Sequence, residues 1–262
     1  MQRAYGVPSF RGSINRFVAA QPDGLAVVEH DGSVVGTGCC VAYPSGGFGW
    51  IGLVATMPGF ERRGIATAIT AFLGDVLGGH GCAPVLDAST AGGPVYERMG
   101  FADCGLTRVL VFAGRRVRAS KAHRACAELT AADFDEVVAY DATRFGALRP
   151  VVLSTLVDQH PRRALVLRRG GKVVGYLVAQ ESTLAPVIAD DPESLSGLLG
   201  AALRLHWLSP PRICVPPDSG HLDSLLALGF EQRRALRHMQ RGIGELPGLR
   251  RSIAGLVSLG EG

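Results

Sequence analysis

The sequence predicts an α/β (α+β) protein built as two related units in tandem, each a mixed, mostly antiparallel sheet flanked by helices. Three observations carry this reading. Strand-like and helix-like apolar segments alternate along most of the 262 residues. A strand–turn–strand pattern occurs twice, with Leu25-Ala26-Val27-Val28-Glu29-His30-Asp31-Gly32-Ser33-Val34-Val35-Gly36 matched by Leu165-Val166-Leu167-Arg168-Arg169-Gly170-Gly171-Lys172-Val173-Val174-Gly175. At a similar offset, Tyr96-Glu97-Arg98-Met99-Gly100-Phe101 is matched by Leu225-Leu226-Ala227-Leu228-Gly229-Phe230. Such self-similarity marks a duplicated unit. The expected division is an N-terminal domain at 1–114, a linker at 115–124 and a C-terminal domain at 125–262. The linker gathers Arg115, Arg116, Arg118, Lys121 and Arg124. No aromatics are interleaved there for base stacking, so it does not read as a nucleic-acid surface.

Composition narrows the class further. Apolar residues make up 47% and charged residues 19%, which describes a packed globular protein rather than a disordered one. No apolar run of 18 residues suggests a membrane span, and no secretion signal follows Met1. The six cysteines show no CxxC pair and no metal-binding spacing. Reduced thiols in a cytoplasmic protein without a metal are expected. The net charge of +4 rests mostly on arginine, since Lys121 and Lys172 are the only lysines.

The elements follow in order. In the first half, strands are expected near 25–30, 34–43, 47–56, 84–88 and 107–112, with helices near 65–78 and 92–99. Pro94 suits the first turn of the second helix. Only about 24 poorly patterned residues precede Leu25, so the first unit reads as shortened at its start. In the second half, Thr130 is a capping candidate for a helix from Ala131 to Tyr140. A helix at 149–158, strands at 164–169, 172–180 and 184–189, a helix at 193–205, a strand at 212–215 and a helix at 219–228 come next. Ala235–Gln240 is strand-like, and Ile253–Leu259 reads as a short amphipathic segment.

The chemistry concentrates between residues 50 and 101. An apolar strand, Trp50 to Thr56, runs through Glu61-Arg62-Arg63-Gly64-Ile65-Ala66-Thr67 into an apolar helix. The first N–H groups of such a helix lack intrahelical partners, and the helix dipole adds partial positive charge there. Together they make a site for phosphate. In the second half the corresponding stretch is Ala189-Asp190-Asp191-Pro192-Glu193-Ser194, whose carboxylates make a poor anion nest. Leu225 stands where the first half has Tyr96.

This strand–turn–helix, followed by Tyr96-Glu97-Arg98-Met99-Gly100-Phe101, resembles the GNAT superfamily of acyl-CoA-dependent N-acetyltransferases. Gly64 and Ala66 match that family's turn, whereas Glu61 occupies its first position in place of Arg or Gln. The resemblance implies acetyl-CoA as co-substrate, with the CoA pyrophosphate held at Arg62, Arg63, Gly64, Ile65, Ala66 and Thr67. It places Val54, Ala55 and Thr56 beside the pantetheine amides, as an added strand. Gly52 suits a bulge in that strand. Ser89 stands where many relatives carry an Asn that touches the cofactor. Tyr96 is implied as the general acid that reprotonates the departing thiolate, since a phenol of pKa about 10 is protonated at neutral pH. Asp87, at the end of the strand facing that site, is the candidate base. The second half, from Tyr140 to Arg149, through Gly175-Tyr176 to the Pro247 region, is similar to the C-terminal GNAT-like domain of bacterial tandem acetyltransferases. In such tandems that copy shapes the acceptor cleft or a homodimer. The implied reaction is acetyl transfer to a small-molecule amine, with no nucleic-acid or membrane partner. A non-catalytic acyl-CoA-binding regulatory module and a protein N-acetyltransferase stand as alternatives.

Overall fold

The computed structural model describes residues 11–114 and 125–262. The expected linker at 115–124 lies outside the described residues. Contacts divide the chain into two units that are not contiguous in sequence. Unit 1 holds the described residues up to Gly105, then Leu236–Leu246 and Leu259–Gly262. Unit 2 holds the described residues from Leu106 to Ala235, then Pro247–Ser258.

Unit 1 opens with helix α1, Arg11–Ala20. Sequence reading left this stretch unpatterned, because a single apolar side chain, Phe17, anchors it in the interior. Strands β1 (Leu25–His30), β2 (Ser33–Tyr43) and β3 (Phe48–Thr56) form antiparallel pairs. Asp31 and Gly32 both take positive φ, as a two-residue hairpin turn requires. Helix α2 (Ile65–Gly79) then crosses back, so β4 (Ala83–Ala88) pairs parallel to β3. Helix α3 (Gly93–Arg98) and the start of β5 (Ala102–Phe112) follow. The other edge of β4 is covered from far along the chain. There the last residues of β11 (Phe230–Gln240) pair antiparallel to β4. The core of unit 1 gathers Ile69, Leu73 and Leu77 of α2 on Cys40, Ile51, Leu86 and Met239.

Unit 2 repeats the plan. Strands β6 (Cys126–Glu128), β7 (Ala164–Arg169), β8 (Lys172–Ala179) and β9 (Leu184–Ala189) form a meander, extended by β12 (Ile253–Gly255). The Ile253–Leu259 stretch, expected to be a short amphipathic segment, is instead largely interior. Residues 253–257 are all buried, and β12 pairs with β9. Strand β10 (Arg212–Val215) pairs with the second part of β5. Helices α4 (Phe134–Phe145), α5 (Pro150–Gln159), α6 (Pro192–Ala202) and α7 (Leu222–Ala227) flank these strands. Thr130 does open a helical segment: Asp133 accepts from its backbone N–H and its hydroxyl.

The internal repeat has a packing reason. A Cβ on Gly36 would meet Ile65 of α2 at 2.4 Å, and one on Gly175 would meet Leu198 of α6 at 2.8 Å. Each glycine lets a helix close onto its sheet. After each short helix a positive-φ glycine, Gly100 or Gly229, turns the chain so that Phe101 or Phe230 enters a core. All six cysteines are free thiols, and burial pushes Cys39 and Cys40 up to about 12.

Candidate active site

Two strands of unit 1 pair and then part. The parallel register of β3 and β4 runs from Phe48/Ala83 to Ile51/Leu86 and ends there. On its other edge β3 carries a bulge. Register shifts between Thr37 and Cys39 of β2, opposite Leu53, whose φ is 53°. A bulge bends and twists its strand, which turns Leu53–Thr56 away from β4. Sequence reading assigned the bulge to Gly52. The strained residue is Leu53, and Gly52 is small for another reason: a Cβ there would meet Gly260 at 2.2 Å. Val54, Ala55 and Thr56 are half-buried along the parted stretch.

The turn beyond β3 delivers the helix. Gly64 caps α2 with φ of 79°, and no side chain caps that end. A Cβ on Gly64 would meet nothing within 4 Å, so the space before the helix is open. Arg62 also takes positive φ. Residues 61–64 are exposed, and Ile65 and Ala66 are half-buried. The misfit residue, Glu61, faces backwards: its carboxylate accepts from Gly59 N at 2.7 Å. Its charge is thereby engaged away from the helix end. Arg63 stacks over Phe60 at 4.9 Å. The first amides of α2 are left without a side-chain cap, and Arg62 and Arg63 lie in the same exposed turn.

Tyr96 lies in α3 with 9% exposure, packed edge-on to Phe101 at 5.9 Å. Burial raises its pKa, while the Thr70 hydroxyl of α2 pulls the other way. The phenol therefore stays protonated at neutral pH, as a proton donor must. Gly92 gives the ring room, since a Cβ there would meet Tyr96 Cε2 at 3.0 Å. The Ser89 hydroxyl accepts from Gly92 N at 3.2 Å, so it caps the turn that carries Tyr96.

Asp87 is not a lone carboxylate. It opposes His238 in the β4–β11 register, and His238 Nδ1 lies 3.1 Å from Asp87 Oδ1. Both side chains are buried, at 4% and 0% exposure. The His238 ring also lies 5.4 Å from Trp50. Sequence reading missed His238, because its partner is 151 residues away and only strand register joins them. Among the described residues no group of three or more acidic, His or Cys side chains is placed to hold a metal.

A sheet that parts beside an open helix start, with a buried phenol nearby, is what the comparisons with known proteins address. Residues 3–101 match the family model described as acetyltransferase (GNAT) family, and residues 137–254 match one described as acetyltransferase (GNAT) domain. The chain belongs to the GNAT superfamily. It is 23% identical over 195 residues to YitH of Bacillus subtilis (strain 168), named an uncharacterised N-acetyltransferase. That match covers 70% of this chain and 66% of the relative, just under two thirds of its length. In fold it is similar to a candidate acetyltransferase from Pyrococcus horikoshii, with a TM-score of 0.83 at 22% identity. The match covers 100% of this chain and 89% of that one. A tandem GNAT protein from the clavulanic acid biosynthesis pathway gives a TM-score of 0.56 at 16% identity, covering 91% and 90% of the two chains.

The second GNAT domain treats the equivalent helix start differently. Asp191 caps α6, its carboxylate accepting from Ser194 N at 2.8 Å. The preceding Asp190 accepts from Tyr140 Oη at 2.8 Å and Arg144 Nη2 at 2.9 Å. Leu225, in the place of the tyrosine, is fully buried.

Proposed function

We propose that this GNAT protein transfers the acetyl group of acetyl-CoA to a primary amine of a small molecule in the bacterial cytoplasm, and that unit 1 carries the reaction. The observation that supports this most is the parting of β3 from β4 immediately before an uncapped helix end. The backbone amides of Arg62–Thr67 hold the pyrophosphate, helped by the dipole of α2. Val54, Ala55 and Thr56 pair with the pantetheine arm. Ser89 keeps the Tyr96 turn in place. The neutral amine attacks the thioester carbonyl, the C–S bond breaks, and Tyr96 gives its proton to the thiolate. The phenolate recovers a proton from the new amide nitrogen. Unit 2 binds no CoA. The expected domain division at 1–114 and 125–262 belongs to the same proposal.

Release of free thiol from acetyl-CoA, followed across a panel of polyamines, arylalkylamines, aminoglycosides and a lysine peptide, tests this reading. Turnover with a small amine supports it, and turnover with the peptide alone would redirect it to protein acetylation. The depth of Tyr96 favours one second reading, a non-catalytic acyl-CoA-binding module. CoA-dependent thermal stabilisation without thiol release from any amine would select that reading.

A further inference from the structure

We propose that His238 is the general base of unit 1 and that Asp87 positions it. The inference rests on the acetyl-transfer reading above.

Asp87 and His238 lie one residue beyond Leu86, the last residue of β4 in register with β3. The dyad therefore stands where the two strands begin to part. Residues directly opposed in an antiparallel pair share a face, and faces alternate along each strand. Ile51, Leu86 and Met239 join the core with α2. Trp50, Asp87 and His238 consequently share the other face, away from the helix that would hold the pyrophosphate. The imidazole of His238 thus stands on the face opposite α2, at the point where the strands part. Asp87 accepts at Nδ1, which fixes the proton there and leaves Nε2 with its lone pair. Trp50 adds an independent sign. Its indole N–H is buried and has no hydrogen-bond partner among the described residues. Buried polar groups are usually paired, so an unpaired donor on the face of the dyad is unusual. Asp103, whose carboxyl is held low in part by His238 and lies against Arg237, is a charged neighbour of the dyad.

The proton balance closes. The ammonium form of the acceptor gives one proton to His238 Nε2, and the freed nitrogen lone pair forms the amide bond. Tyr96 protonates the sulfur and is restored by the amide proton. The imidazolium then releases its proton to water. One proton leaves per turnover.

The test uses the full chain, acetyl-CoA and the best amine of the panel. His238→Gln is expected to lower kcat by roughly 10²–10⁴-fold, a usual general-base contribution. It should abolish the ascending limb of the kcat/KM–pH profile and leave CoA-induced thermal stabilisation intact. Imidazole added to His238→Ala should restore part of the rate, which no structural role would produce. Asp87→Asn should give a smaller loss and displace the ascending limb. In folded wild-type protein, the ring of His238, followed by nitrogen NMR, should titrate with the midpoint of that limb. An unchanged pH profile in His238→Gln, no rescue by imidazole, or a ring midpoint away from the limb would each overturn the proposal. Absence of wild-type turnover with every amine would instead overturn the acetyl-transfer reading on which it stands.

Discussion

Unit 1 and unit 2 share a hairpin, a helix closed onto a glycine and a Gly-Phe turn, yet the starts of their equivalent helices are opposites. In unit 1 the helix begins at Gly64 with no side-chain cap and open space in front. In unit 2 the first turn is satisfied by Asp191, and Asp190 is held by Tyr140 and Arg144. A capped helix end is a more stable one, and here the cap already takes the Ser194 amide. The comparison teaches that a duplicated fold can leave the first amides of one helix without a side-chain cap and cap the equivalent helix in the other copy. The replacement of Tyr96 by Leu225 points the same way, since a buried leucine packs without a polar group to satisfy.

The sharpest break of this comparison is Tyr96→Phe. The ring and its contact with Phe101 remain, and only the proton donor goes. Turnover should fall by roughly 10²–10⁴-fold, while CoA affinity measured by calorimetry stays near wild type, as loss of a transition-state interaction requires. Undiminished turnover would make Tyr96 a packing residue like Leu225. The counterpart in unit 2 is Asp141→Asn. Asp141 and Arg149 form a buried bidentate pair, each 1% exposed, and Tyr176 donates to the same carboxylate. Removing one charge strands the other, at a cost of about 3–5 kcal/mol. Chemical denaturation should show that loss. The thiol-release rate of the molecules still folded should hold. A rate that falls with Asp141 would put catalytic work in unit 2.

Next in size is Gly64→Val. A β-branched residue at φ of 79° is strained, by about 1–3 kcal/mol. It also places carbon where the pyrophosphate is proposed to sit. CoA affinity should drop about tenfold to a hundredfold, since each 1.4 kcal/mol is tenfold. Asp191→Ala in unit 2 should cost only about 1 kcal/mol of stability, a normal cap loss, and leave CoA affinity unchanged. Equal affinity losses from the two substitutions would erase the distinction between the helix starts.

Much of this architecture was legible because it is local. The hairpins are written as apolar runs around Asp31-Gly32 and Gly170-Gly171, and helix α2 as an apolar stretch behind Gly64. What escaped reading depends on distant partners. Helix α1 has little periodicity of its own and is fixed by Phe17 and by the buried pair of Arg16 with Glu261, 245 residues away. Strand β12 is three residues long and owes its place to β9. Asp87 could be read as a candidate from its position at the end of a strand. His238 could not, because nothing near it in sequence indicates that Leu236–Gln240 joins unit 1. The outward turn of Glu61 was likewise invisible, since it depends on the conformation of Pro58-Gly59.

The smallest expected effect concerns pH, and it tests whether the side-chain pairs of unit 2 are stabilising. Asp133 accepts from Thr130 and Arg168, and these bonds hold its pKa at about 2, below the ordinary 3.8. Its folded pKa is depressed, so the unfolded chain binds the proton more readily. The stability it contributes is complete above about pH 4 and is lost as pH falls from there toward 2. Because the carboxylate is partly solvent-exposed and its partners lie near the surface, screening by salt reduces the effect. Melting temperatures of wild type and Asp133→Asn, compared from pH 6 to pH 2, should therefore converge on acidification, with wild type losing more than the variant. Added salt should narrow the gap at pH 6. Parallel melting curves across the range would mean that Asp133 caps its helical turn without electrostatic gain, and that unit 2 is held by packing and by its buried Asp141–Arg149 pair.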